Sequence, residues 1–296
     1  MHSHRRSLKK EHSRLHKTSS FLDNRSGDWR DCLNSSLRFL RQSWDTQWVG
    51  LPFVVDACAN FLNLNATTLN VTGTKLLAVA QELALDIDRH ASHHSSTAEP
   101  AYHNRLHFAD VLTTVSIQAA IEGTRCPSKD TDWLAALILI ALAHDLNHPG
   151  RINQHCAEIE QLAVDALQPY LHKHAVARLW SSRIERVILS SDFSLVSENH
   201  KRVAGKSFAW NVDWAIVLIN EADVMASVSE AFGAELRCAL AREWALASVP
   251  MHSSVATDQG RLDFLANTVF SSYSAAVLGA PRERLKQLGD HWRSLP

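Results

Sequence analysis

Two histidines, His103 and His107, are the first side chains in the sequence whose types and spacing could do chemistry. They stand four residues apart, so in a helix they lie one turn apart on the same face. Imidazole binds divalent metals and transfers protons near neutral pH. Because a chain with 17 histidines contains such pairs easily, the pair gains meaning only if further ligands converge on it.

A second group of ionisable residues, His144 and Asp145, directly follows the most apolar stretch of the chain, residues 133–143. A stretch that is apolar on nearly all sides is typical of a buried helix. Burying an aspartate beside a histidine costs several kcal/mol unless each side chain is paired or holds a cation. The position therefore predicts a compensating partner for both side chains.

Asp223 forms the third part of the pattern, because the apolar residues 214–219 lead directly into the polar segment that contains it. Imidazole and carboxylate together, without thiolate, suit zinc, iron or manganese, and bridging carboxylates suit a pair of divalent ions. We therefore predict a dinuclear hydrolytic centre, formed by the two histidines of the first motif, the His-Asp doublet and this distant aspartate.

The elements that must position these side chains are predicted to be helices. From about Leu33 onward, apolar and polar residues alternate at helical spacing, and the chain has 10 Gly and 8 Pro to interrupt them. No Val, Ile or Thr run with period two favours a strand, although residues 212–218 fit a helix least well. We predict an all-α fold with a central buried helix over residues 133–144 and one continuous helix over residues 262–278.

Composition excludes several classes of protein. Of the 296 residues, 46% are hydrophobic and 21% are charged, which is typical of a globular chain. The longest apolar run, eleven residues at 133–143, is shorter than the roughly 20 residues of a membrane-spanning helix. The five cysteines form no Cys-x-x-Cys pair, which argues against a disulfide framework and a thiolate zinc site. Together with the lack of an apolar secretory signal, these features predict a cytoplasmic protein.

The charge distribution divides the chain into two parts. Residues 1–30 contain eight Lys or Arg and three acidic residues, whereas the whole chain has a net charge of −1. This basic arm could contact nucleic acid or anionic lipid or act as a targeting segment, but a solvated, disordered tail is the simpler interpretation. We therefore predict a disordered arm at 1–30 and a helical catalytic domain at 31–296, with no nucleic acid partner. No pattern predicts an oligomeric state.

Two longer motifs carry a family resemblance. Tyr-His-Asn-x-x-His-x-x-Asp-Val at 102–111 and His-Asp-x-x-His-Pro-Gly-x-x-Asn-Gln at 144–154, followed by Ala-Asp at 222–223, resemble the catalytic domain of the class I cyclic nucleotide phosphodiesterases. That family lies within the HD phosphohydrolase superfamily, and the resemblance covers roughly residues 50–290. It implies a compact all-helical HD-type domain, acting in signal transduction, whose deep pocket holds two divalent ions. Zn²⁺ is expected at the tight site and Mg²⁺ or Mn²⁺ at the second.

The resemblance also implies roles for individual residues. Four residues match the ligands of the first metal: His107, His144, Asp145 and Asp223. Asp145 would bridge to the second ion, and a hydroxide between the ions would attack phosphorus. His103 matches the general acid that protonates the departing ribose oxygen. His148 and Asn153 match residues that orient metal-bound water.

The nucleotide-binding half of the family pattern is altered. The family uses a glutamine and an aromatic residue to hydrogen-bond and stack against the purine, but an ungapped alignment puts Asp258 and Arg261 at those positions. A shift of one residue restores Gln259 but puts Leu262 in the place of the aromatic residue. Either way the base loses a stacking face. Tyr102 is expected to pack beside the pocket and contact substrate there.

The sequence thus predicts a metal-dependent phosphodiesterase that hydrolyses a 3',5'-cyclic nucleotide, a small molecule, to the 5'-monophosphate, with cAMP slightly favoured over cGMP. The altered base pocket keeps open an HD-type phosphohydrolase acting on another phosphoester, such as a nucleoside monophosphate. A catalytically idle relative that binds a nucleotide or a protein partner is the third alternative. An intact His103 argues against the idle relative, because an idle pocket has no chemical need for a general acid.

Overall fold

The computed structural model describes residues 21–24, 27–93, 99–126 and 130–294. Within these ranges the chain forms helices and no strand, so the prediction of an all-α fold is confirmed. In chain order the α-helices are α1 (Trp29–Thr46), α2 (Leu51–Phe61), α3 (Val71–His93), α4 (Arg105–Gly123), α5 (Thr131–Ala143), α6 (Glu158–Lys173), α7 (Arg178–Leu189), α8 (Val196–Val203), α9 (Val212–Val228), α10 (Gly233–Leu246), α11 (His252–Val255), α12 (Asp258–Asn267), α13 (Tyr273–Val277) and α14 (Ala280–Ser294). A 3-10 turn, Phe193–Leu195, precedes α8.

Helix α5 lies at the centre of the molecule, as its apolar sequence predicts. The Asp130 side chain caps its first turn by accepting hydrogen bonds from the backbone N–H groups of Asp132 and Trp133. Every residue from Trp133 to Ala143 is buried, and helices α3, α4, α7 and α9 all contact α5. Burial of each large aliphatic side chain contributes about 1.5–3 kcal/mol, so this helix anchors the core and fixes the position of the residues that follow it.

Helix α4 runs beside α5 and is buried along almost its whole length. The Asn104 side chain caps its start by accepting hydrogen bonds from the N–H groups of Leu106 and His107. Further along, Asp110 accepts two hydrogen bonds from the guanidinium of Arg41, at 3.0 and 2.9 Å. This buried pair fixes α4 against α1.

Helix α9 packs against both central helices and includes the segment whose composition fitted a helix least well. The Asn211 side chain accepts from the N–H of Trp214 and so caps the first turn. Residues from Trp214 to Ala222 are buried. Tertiary packing therefore decides the conformation of residues whose local preference for a helix is weak.

The prediction of one helix over residues 262–278 is wrong. Helix α12 ends at Asn267, and α13 begins at Tyr273. Between them, the backbone N–H groups of Ser271 and Ser272 donate to the buried carboxylate of Glu221, at 2.6 and 2.9 Å. The Ser272 side chain then caps α13 by accepting from the N–H of Ala275. A carboxylate from α9 thus provides the hydrogen bonds that the break in the helix requires.

The folded body begins before the predicted boundary at residue 31. Phe21 is buried and contacts the rings of Phe39 and Phe53, with centroid distances of 5.2 and 5.9 Å. Residues 1–20 of the predicted arm lie outside the described residues. None of the five cysteines forms a disulfide within the described part of the chain. None of the described helices has the length and hydropathy needed to cross a bilayer.

Candidate metal centre

Three helices bring the four predicted ligands together. His107 lies in the first turn of α4, His144 and Asp145 directly follow α5, and Asp223 lies in α9. One potential ligand atom from each of the four lies within 4.8 Å of all the others. Ionisable residues that stand far apart in sequence therefore converge because the core packs these three helices against one another.

The contacts within this group are short. Nε2 of His107 lies 3.1 Å from Oδ2 of Asp145 and 3.2 Å from Oδ1 of Asp223. Nε2 of His144 lies 3.1 Å and 3.7 Å from the same two oxygens. Both imidazoles are buried, whereas 31% of the Asp223 side chain is exposed. The group is therefore buried on the histidine side and accessible from the aspartate side.

His144 has the hydrogen bonding of a metal ligand. Its Nδ1 lies 3.0 Å from the carbonyl oxygen of Ala141, so this nitrogen carries the proton and donates it there. Its Nε2 is buried and has no hydrogen-bond partner among the described residues, although Asp145 is close. A neutral ring would turn a bare lone pair toward this carboxylate, so either a proton on Nε2 or a cation lies between the two groups. Two imidazoles and two carboxylates also form a donor set that zinc, iron or manganese accepts, so these residues fit a divalent cation.

The charges in the group also favour a bound cation. Burial disfavours protonation of His107, but the hydrogen bonds and charges of Asp145 and Asp223 outweigh burial and raise its pKa to about 9. Burial likewise raises the pKa of each carboxyl group, yet the neighbouring histidines hold the pKa of Asp145 and of Asp223 well below the usual range. The two carboxylates thus remain ionised, and their charge is balanced either by protonated histidines or by a cation that replaces those protons.

A second group, formed by His103, His148 and Glu243, adjoins the first and also has ligand atoms within 4.8 Å of one another. Nδ1 of His103 lies 2.5 Å from Oε1 of Glu243. The other carboxylate oxygen accepts from the backbone N–H groups of Tyr102 and His103, at 2.7 and 3.0 Å. Burial raises the pKa of Glu243, but these hydrogen bonds outweigh it and lower the pKa below the usual value. The ionised carboxylate therefore fixes both the backbone and the ring of His103.

The ring of His103 is oriented toward the four-ligand group. Its Nε2 lies 3.9 Å from Oδ2 of Asp145. With Nδ1 against Glu243, Nε2 of the doubly protonated ring would direct its proton into the space beside Asp145. The predicted general acid is thus adjacent to the predicted metal ligands and is held by a carboxylate.

His148 stacks on His103 and is not one of the four converging ligands. The two rings are 3.5 Å apart between centroids and inclined by 22°. Burial, and then the charge of His103, lower the pKa of His148 to about 4, so it is neutral at pH 7. Its Nδ1 accepts from the N–H of Gly150 at 3.1 Å. Gly150 has a φ of 72°, and a Cβ there would lie 3.2 Å from Cγ of Glu243, which favours glycine at this turn.

Asn153 and Tyr102 make structural contacts. Asn153 accepts from the N–H of Ile159 at 2.8 Å and donates to Glu160 at 2.9 Å, so it stabilises the start of α6. The Tyr102 ring packs 4.9 Å from the ring of His107, and its hydroxyl pairs with Oγ of Ser227 at 3.1 Å. The predicted role of Asn153 toward metal-bound water and that of Tyr102 toward substrate stay predictions.

Gln259 and Leu262, the predicted base-binding residues, both lie on α12. Gln259 is exposed and donates to Asp263 of its own helix at 2.7 Å, and Leu262 is half-buried. Neither residue lines the cleft beside Asp223. The residues that line this cleft together with Asp223 are Ser191, Phe193, Val196, Asn220, Val224, Thr268 and Val269.

Sequence reasoning missed two acidic residues near this site. Glu243 lies on the buried face of α10 with Leu236 and Ala239, and a carboxylate in an otherwise apolar stripe was the available signal. Glu160 is the second; burial raises its pKa, and the charges of Asp192 and then Asp145 raise it further. Both residues increase the negative charge around the four ligands. No protein-family model matches the chain.

Proposed function

We propose that the protein is a metal-dependent phosphodiesterase that hydrolyses a 3',5'-cyclic nucleotide to the 5'-monophosphate. The observation that carries the proposal is the position of His103, whose Nε2 lies 3.9 Å from Asp145 at the edge of the four-ligand group. A proton donor beside a metal centre is the minimum apparatus for cleaving a phosphoester with a poor leaving group. The resemblance of the motifs at 102–111 and 144–154 to class I phosphodiesterases supports the same reaction.

The four converging residues would hold the first divalent ion, with Zn²⁺ the expected ion for this donor set: His107, His144, Asp145 and Asp223. Asp145 is the candidate bridge to a second ion, for which Mg²⁺ or Mn²⁺ is expected. Such ions supply Lewis acidity, which stabilises charge on phosphoryl oxygens and activates water for attack on phosphorus. The chain's own contribution is to fix the ligands and to exclude water from the histidine side.

His103 would supply the proton that the leaving group needs. Cleavage to the 5'-monophosphate breaks the bond between phosphorus and the ribose 3' oxygen, and this oxygen must take up a proton. With Nδ1 hydrogen-bonded to Glu243 at 2.5 Å, the doubly protonated ring presents its Nε2 proton to the ribose 3' oxygen. Glu243 then stabilises the protonated ring before transfer.

One observation favours the alternative of an HD-type phosphohydrolase that acts on another phosphoester, such as a nucleoside monophosphate. Gln259 is exposed and paired with Asp263, and it does not line the cleft beside Asp223. An amide outside the cleft provides no hydrogen bond for the edge of a base bound there. A metal centre would serve either reaction, so the two reactions are distinguished by which substrates the protein hydrolyses.

Elemental analysis of the purified protein and a substrate panel together test the proposal. We expect bound divalent metal, and conversion of cAMP or cGMP to the 5'-monophosphate when zinc, magnesium and manganese are supplied. A His103→Ala variant should keep its metal and lose turnover. Intact cyclic nucleotides alongside released phosphate from a nucleoside monophosphate would favour the alternative, and a metal-free, inactive protein would overturn both.

A further inference from the structure

The cleft beside Asp223 extends the candidate active site over the surface. It is a small cleft that opens to solvent, with about 20 Å³ of space for the centres of water-sized molecules. Asp223 forms one wall, and three valines and Phe193 form much of the remainder. A substrate whose phosphate lies at the four-ligand group could therefore lay its remaining part across the open face of this cleft.

Phe193 is the one aromatic side chain among the described residues that line this cleft. It is 58% exposed, which leaves a ring face available for contact. The 3-10 turn that carries it is held by the buried carboxylate of Asp192. That carboxylate accepts from the N–H of Ser194 at 2.8 Å and from the N–H of Ala157 at 2.7 Å. The backbone under the exposed ring is therefore fixed.

The polar side chains of the cleft are already hydrogen-bonded within the protein. Asn220 donates to the carbonyl of Ser190 and accepts from Asn199. The cleft's two hydroxyl groups donate to backbone carbonyls of the helix that precedes each: Ser191 to Ile188 and Thr268 to Phe264. Because these groups are engaged, the cleft favours contact with the face of a ligand over hydrogen bonding to its edge.

We propose that Phe193 is the residue on which the nucleobase of the substrate stacks. The cleft accordingly selects a flat aromatic base and distinguishes adenine from guanine only weakly. This inference rests on the proposed function, because it assigns the substrate of the same site. An aromatic side chain can stack on any of the bases, since every base has a π-face. Phe193 also provides an aromatic contact in the cleft, which Gln259 and Leu262 of α12 do not line.

Two variants and one control test the proposal. Phe193→Ala should raise KM for both cAMP and cGMP by about tenfold while kcat changes less than about threefold, the loss expected for one stacking contact. Phe193→Tyr should restore the low KM. Tyr273→Ala removes an aromatic side chain of similar exposure that lies outside the cleft, and it should leave KM unchanged.

A base-free substrate, the 1-O-methyl riboside 3',5'-cyclic phosphate, separates binding of the base from chemistry. Wild type and Phe193→Ala should hydrolyse it with the same KM. Calorimetric binding of 5'-AMP should weaken by about tenfold in Phe193→Ala, which is a readout independent of turnover. If wild type hydrolyses cAMP and Phe193→Ala keeps the wild-type KM and 5'-AMP affinity, the stacking role is wrong and the proposed function stands. If wild type hydrolyses neither cyclic phosphate, the proposed function itself fails.

Discussion

The ring of His103 and the carboxylate of Glu243 are joined by a 2.5 Å contact between Nδ1 and Oε1, although the residues are 140 positions apart in the sequence. The carboxylate also holds the backbone N–H of His103 at 3.0 Å. One acidic side chain therefore sets the position, orientation and tautomer of the predicted proton donor. Glu243 is a positioning residue, because it acts on the reaction through His103.

Replacing Glu243 by glutamine should lower kcat by about 10–100-fold with little change in metal content. Glutamine can still accept from the backbone N–H groups, but it does not stabilise a protonated imidazole as a carboxylate does. The measurement is steady-state kinetics on cAMP with elemental analysis of the same sample. His103→Ala combined with Glu243→Gln should be no slower than His103→Ala alone. Full activity of the single glutamine variant would contradict the positioning role.

Replacing Asp145 by alanine should remove the bound metal. This carboxylate lies 3.1 Å from both His107 and His144, so its loss opens the centre of the ligand group. Elemental analysis and the rise in melting temperature on adding zinc are the measurements, because a ligand that binds only the folded state stabilises it. Asp165→Ala is the matched control, since Asp165 is an exposed carboxylate that pairs with Gln161. Equal metal content in both variants would show that the ion binds elsewhere.

The four residues that converge could be proposed as metal ligands from the sequence because each signal is local. His144 and Asp145, for example, are ionisable residues that directly follow the apolar helix α5. Burial at such a position requires a partner that balances the charge. The all-α fold follows from periodicity in the same way. Helix packing decides which of these ionisable residues share one site. The candidates are few, because an ionisable residue directly follows an apolar helix at only a small number of positions.

The residues that the sequence analysis missed depend on distant partners. Glu243 is one of many glutamates on amphipathic helices, and only the tertiary structure places it against His103. The break between α12 and α13 likewise depends on Glu221 of α9, which accepts from two backbone N–H groups of that segment. Local propensity carries no information about such partners, so a continuous helix was the natural prediction.

The buried pair of Arg41 and Asp110 should dominate the stability of the α1–α4 contact. Burial raises the pKa of Asp110 even beside Arg41, so the carboxylate depends on this partner. Arg41→Leu should lower the free energy of unfolding by about 3–5 kcal/mol, measured by urea denaturation, because it leaves a buried charge without its partner. Arg41→Leu combined with Asp110→Leu should recover most of the loss.

The exposed pair of Arg186 and Asp213 provides the control for this measurement. Its donor and acceptor are 3.1 Å apart, but the side chains are 56% and 37% exposed. Arg186→Leu should leave the free energy of unfolding almost unchanged, because water screens an exposed pair. Equal losses in the free energy of unfolding for Arg41→Leu and Arg186→Leu would mean that burial does not increase the cost of breaking the Arg41 pair.

His200 should make the protein less stable in mild acid. It is buried in α8, where its Nδ1 lies 2.7 Å from Oγ of Ser271, and burial lowers its pKa from 6.5 to about 4. Above pH 6.5 the ring is neutral in both the folded and unfolded states. As the pH falls from 6.5 toward 4, the unfolded chain takes up a proton that the folded chain excludes, so the free energy of unfolding decreases. The contribution of this residue should reach about 2 kcal/mol between pH 7 and pH 5.

His200→Gln isolates this contribution, because glutamine can keep a hydrogen bond to Ser271 and does not titrate. Urea denaturation of both proteins at pH 7, 6 and 5 should show a shallower loss of stability in the variant, with the difference growing toward pH 5. Parallel curves for the two proteins would mean that His200 is protonated equally easily in the folded and unfolded states. Its burial in α8 would then impose no cost on the charged ring, and the acid sensitivity of the fold would have to come from other histidines, such as His148, whose pKa is also lowered to about 4.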